Sequence, residues 1–123
     1  MKNTILLLSV VLSVLGCQKS NEQPVIKGKL VYRSCATIAV QVLDTNYYSI
    51  AQDTWKNPTS KEDYSHVFAA SNQCSFPASI AVGKDFLFQI ITEDPKNKDC
   101  VLCALFDDPP QKSQLIKVIE GGK

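Results

Sequence analysis

The sequence predicts an all-β domain, and three observations carry that prediction. Residues alternate with period two over long stretches, turn-forming residues punctuate those stretches at short intervals, and nothing beyond the first sixteen residues has a convincing 3.6-residue apolar stripe. Of 123 residues, 45% are hydrophobic and 20% charged, which is enough apolar side chain to give one domain a core. Five Gly and six Pro are too few for collagen or a low-complexity linker. Thirteen Lys and Arg face twelve Asp and Glu, and without Lys2 the two signs balance. A balanced chain of this kind is not a polycationic nucleic-acid binder.

Across residues 26–42 the even positions include Ile26, Gly28, Leu30, Tyr32, Ile38, Val40 and Val42, whereas Lys27, Lys29, Arg33, Thr37 and Gln41 fall on odd ones. That spacing is a strand's. Strands usually run about 3 to 10 residues, so this stretch is either one long strand bent by a bulge near Ser34-Cys35 or two strands joined there. Gly28 permits the sharp coiling that a small barrel needs. Further strands are expected over residues 64–70, 85–92, 100–106 and 114–119, with Phe86, Phe88 and Ile90 sharing one face. Polar residues 93–99 contain Pro95 and fit a hairpin connection, which implies antiparallel neighbours. Pro109 and Pro110 lack ladder donors and stop the strand before them. Five or six short strands with turns between them predict a small antiparallel barrel, OB-like, with a β-sandwich as the alternative.

The amino terminus has a charged start at Lys2, then residues 5–15 broken only by Ser9 and Ser13, then Gly16 and Cys17. This is a secretory leader in length and flanks. Crossing a bilayer takes roughly 20 apolar residues, so the run is too short for a transmembrane anchor. Val14-Leu15-Gly16-Cys17 resembles the lipobox of bacterial lipoproteins, in which a peptidase cuts before a cysteine whose sulfur already carries diacylglycerol. Val14 stands where Leu is commoner. The resemblance implies a signal peptide over 1–16, a lipidated Cys17 with a flexible tether over 17–24, a β domain over 25–120 and a tail over 121–123. Two or more acyl chains on one residue exceed the marginal hold of a single chain, so the mature protein is expected to stay on its membrane. Gln18 in place of Asp after the lipidated cysteine resembles lipoproteins forwarded to the outer membrane.

Cys35, Cys74, Cys100 and Cys103 remain, an even number in an exported chain, and predict disulfides. If residues 100–106 form a strand, Cys100 and Cys103 point to opposite faces and each joins Cys35 or Cys74. Two sharper readings compete. Cys100-Val101-Leu102-Cys103 has redox-motif spacing, but β-formers lie between the cysteines where a helix N-terminus would lower a thiol pKa. A zinc site would need a second knuckle that the spacing does not provide. No metal and no cofactor is expected.

His66, the single histidine, lies in an expected strand where alternation sets it with Tyr64 and Phe68 and apart from Ser65. With no nucleophile elbow and no second histidine, it reads as a packing or rim residue, and no catalytic residue is assigned. Asp107-Asp108 beside two prolines reads as a solvated turn. Residues 44–63 form a long segment with Tyr47, Tyr48 and Trp55, followed by Tyr64, and these four are the candidate ligand contacts for a protein, peptide or glycan. The bland reading is that Trp55 and one tyrosine plug an open barrel end.

Together the lipobox, Gly28-x-x-x-Tyr32-x-Ser34-Cys35-Ala36, Asn72-x-Cys74-Ser75-Phe76-Pro77 and Cys100-x-x-Cys103 resemble small bacterial lipoproteins with a compact β domain. The resemblance implies a role for Cys17 alone and no activity. The expectation is a lipid-anchored envelope protein acting by binding or assembly. Its alternatives are a thiol or zinc protein using Cys100 and Cys103, and an inhibitor of foreign hydrolases by analogy of scaffold.

Overall fold

The computed structural model describes Gly16, residues 22–98, 100–101 and 103–120. Cys17, the rest of the expected leader, tether residues 18–21 and the tail 121–123 lie outside the described residues.

Seven strands form one sheet: β1 Ile26–Arg33, β2 Ile38–Val42, β3 Gln52–Lys56, β4 Asp63–Ala70, β5 Asp85–Ile90, β6 Ser113–Gln114 and β7 Ile116–Glu120. Their order is β3-β4-β2-β1-β5-β7, with β6 pairing β4 off that path. All pairings are antiparallel except β4 with β6, which is parallel. The fold is therefore all-β, and its only described helical piece is a short 3-10 segment, Thr45–Ile50, capped by the Asp44 side chain accepting from Asn46 N at 3.0 Å.

Residues 26–42 are two strands, not one bent strand. Ser34 makes the turn: its backbone N–H donates to Thr37 O at 2.8 Å, and its hydroxyl oxygen accepts from the N–H groups of Ala36 and Thr37 at 3.1 and 3.0 Å. A bulge also occurs, but inside β1, where Leu30 faces Val40 and Tyr32 faces Ala39, leaving Val31 as the extra residue. The alternation expected through Tyr32 breaks there. Leu30 belongs to the main core, whereas Val31 and Tyr32 pack on the other face.

The main core gathers Ile26, Leu30, Val40, Phe68, Phe86, Phe88 and their neighbours on one side of the sheet. Gly28 is needed here for close approach. A Cβ on it would lie 2.8 Å from Phe88 Cε1 and 3.0 Å from Val40 Cγ1. The opposite side holds a smaller cluster of Val31, Ala39, Trp55 and Val67, with Tyr32 and Tyr64 against it. In β4 the alternation breaks at His66, whose φ of 59° is left-handed. Phe68 points to the main core, Tyr64 to the smaller cluster, and the expected sharing of one face by Tyr64, His66 and Phe68 does not occur.

The expected strand over residues 100–106 is not present among the described residues. Two cysteines three positions apart are bonded to two different turns, and the prolines at 109 and 110 offer no donors to a ladder. Conversely, residues 44–63 are not one long loop, because they contain the 3-10 segment and edge strand β3.

Candidate functional site

The second face of the sheet is too small to bury itself by apolar contact alone, and a strap running from Cys100 to Gln111 covers it. Two disulfides fix its start, Cys74–Cys100 with a Cα separation of 5.3 Å and Cys35–Cys103 with 5.8 Å. Each of Cys100 and Cys103 thus has a separate partner, as expected, although the strand geometry behind that expectation is not the reason. The partners lie in different loops, Cys35 in the β1–β2 turn and Cys74 in the turn after β4.

Polar bonds hold the rest. The Asp107 carboxylate accepts from three hydroxyls of the β1–β2 hairpin: Tyr32 at 2.8 Å, Ser34 at 2.5 Å and Thr37 at 2.5 Å. Burial alone would raise its pKa, but hydrogen bonds from Ser34, Thr37 and Tyr32 outweigh it and hold the carboxyl below the usual range. Across the same contact, burial first and then the Asp107 carboxylate push the Tyr32 phenol upward. The Trp55 indole N–H donates to Asp108 O at 2.8 Å, and Gln111 N donates to Gln52 Oε1 at 2.7 Å. Asp107 is therefore a structural hub and not a freely solvated turn residue.

With the Asp107 carboxylate turned inward, the strap turns apolar side chains outward. Val101 is 98% exposed, Phe106 80% and Leu105 55%. Beside Phe106 a groove of about 650 Å³ runs between β3 and the strap, lined in part by Trp55, Lys56, Lys61, Pro109 and Pro110. A second hollow of about 530 Å³ lies between β7 and the turns holding Ser75 and Asp94.

The four aromatic candidates do not share one surface. Tyr47 and Tyr48 are half-buried against the main core, and Tyr48 stacks on His66 with ring centroids 3.6 Å apart and planes 6° apart. Trp55 is only 4% exposed and lies on the other face, 5.8 Å from Tyr32 and 6.5 Å from Tyr64 by ring centroid. Tyr64 donates its hydroxyl to Glu62 at 2.9 Å, and that bond, more than burial, raises its pKa. Tyr47 and Tyr48 thus pack on the main core, while the Trp55 indole bonds the strap.

Sequence reasoning missed Asp107 as a hub and Val101, Leu105 and Phe106 as a surface. Read in isolation, a run of Val, Leu, Ala, Leu and Phe between a hairpin and two prolines has a buried strand's composition. The available signal was the close spacing of two cysteines that must bond to different partners.

Chemically, the site offers contact surface. Its cysteines are paired and carry no thiolate, its carboxylate is filled by three donors, and no group of three or more His, Cys, Asp or Glu among the described residues could hold a metal. No protein family, curated protein or solved structure matches the chain.

Proposed function

We propose that the chain is a lipid-anchored protein of the cell envelope whose disulfide-braced β domain acts by contact with a partner surface and not by catalysis. The observation that carries the binding half is the strap: apolar side chains stand in solvent on a segment already fixed by two disulfides and a three-fold hydrogen-bonded carboxylate. Such pre-ordering reduces what association must spend on immobilising a loop. The anchoring half rests on the lipobox resemblance at Cys17, and Gln18 favours the outer membrane as its address.

The same reading takes the domain as a small OB-like barrel. Residues 113–120 support it, because β6 lies on β4 and β7 on β5, so that β4, β2, β1, β5 and the β7–β6 segment form a cycle of pairings with β3 outside it. Compact barrels of this size present loops on a rigid scaffold.

Mass spectrometry of the native protein tests the anchor. Loss of residues 1–16 and a diacylglycerol-modified Cys17 are expected, with Cys17→Ala moving the protein to the soluble fraction. An unmodified amino terminus with residues 1–16 still attached overturns the proposal.

A further inference from the structure

We propose that Val101, Leu105 and Phe106 are a bilayer-contact tip that dips into the headgroup region of the membrane holding the Cys17 lipid, an inference that rests on the lipid-anchor reading above. Among the described residues the other exposed large apolar ones, Val25, Val82 and Ile119, are scattered singly along the chain, whereas these three fall within six positions. Single exposed apolar residues are ordinary, but three within six positions of a covalently pinned segment are not.

The size and shape of the tip favour lipid over protein. Three protruding side chains are far short of the roughly 1,000 Å² that a stable protein complex buries. A tethered domain needs much less, because its lipid already confines it and makes the second contact intramolecular. The tether also reaches. Cys17 lies nine residues before Ile26, a span of at most about 30 Å when extended, and Cys35, which pins the strap, lies nine residues beyond Ile26 along and just past β1. A domain lying on its side thus brings the strap to the surface that holds the lipid.

The test uses the full lipid-modified chain in nanodiscs of phosphatidylethanolamine and phosphatidylglycerol, with and without a gadolinium-chelating lipid. Backbone amide signals of Val101, Leu105 and Phe106 should be lost with the paramagnetic lipid, while those of Leu30 and Val40 in the core persist. In the double variant Val101→Ser, Phe106→Ser the strap signals should survive the same lipid, with the core spectrum unchanged and the protein still in the disc. Persistence of the wild-type strap signals in a chain that co-purifies with the disc overturns the membrane tip, leaves the anchor standing and turns the strap towards a protein partner. Failure to co-purify with the disc overturns the anchor itself, and the tip with it.

Discussion

The two faces of the sheet are held by different physics. On the main face thirteen described residues are buried together, including Phe68, Phe86 and Phe88 with ring centroids 5.5 to 5.8 Å apart. On the strap face only Val31, Ala39, Trp55 and Val67 among the described residues are buried together, and two disulfides, a carboxylate with three hydroxyl donors and an indole hydrogen bond do the remaining work. The contrast teaches that burial of enough apolar area needs no directional bonds, whereas a thin layer requires covalent and polar fixing. It also explains why the strap can display apolar side chains: its own stability does not depend on burying them.

The comparison is most sharply broken at the covalent pins. The double variant Cys35→Ser, Cys103→Ser opens a loop of 68 residues, for which the chain-entropy relation gives a loss of about 4 kcal/mol. Thermal unfolding should show a large drop in Tm, with near-ultraviolet circular dichroism of Trp55 changing before the main β signal. An unchanged Tm would remove the strap from the list of elements that stabilise the fold.

The main face is tested by Gly28→Ala. The added methyl would meet Phe88 and Val40 at 2.8 and 3.0 Å, both deep in the core, so overpacking should cost about 1 to 3 kcal/mol in denaturant unfolding. Because β2 and β5 both flank this position, relief by a small backbone shift is difficult. An Ala variant as stable as the parent would show that the core has slack that its close contacts deny.

The smallest expected effect is at the polar hub. The Asp107 pKa is depressed in the folded state, so its contribution is complete above the ordinary carboxylate value of about 4 and declines as pH falls below it towards the folded pKa. Asp107→Asn should cost about 1 to 2 kcal/mol at neutral pH through weakened charge-assisted bonds. It should also flatten the acid limb of a plot of Tm against pH. An acid limb identical to the parent's would assign that pH dependence to other carboxyls.

Strand positions were legible in the sequence wherever one side chain in two meets the main core, as in β1, β2, β4 and β5. The breaks were not legible. The Val31 bulge and the left-handed His66 each reverse the facing of the residues beside them, and neither position carries Gly, the residue that most plainly marks a reversal. Strand β3 was hidden because only Trp55 of its five residues is buried, so an edge strand looked like loop. The strap was misread for the opposite reason: its composition is a strand's, but its environment is set by cysteine partners far away in sequence. Parity of the cysteines was readable, since it depends on counting alone. Asp107 was not, because three hydroxyls from one hairpin become neighbours only after the β1–β2 turn forms.

Residues 113–120 give the fold a further property through their divided pairing, one end on β4 and the other on β5. During synthesis these residues emerge after every strand they complete, so two raw strand margins wait for the same late arrival. Until it comes, those margins are open templates for pairing with other chains. A truncation that removed this stretch would take Ile116 from the main core and leave both margins unpaired, so the remaining sheet would be prone to self-association.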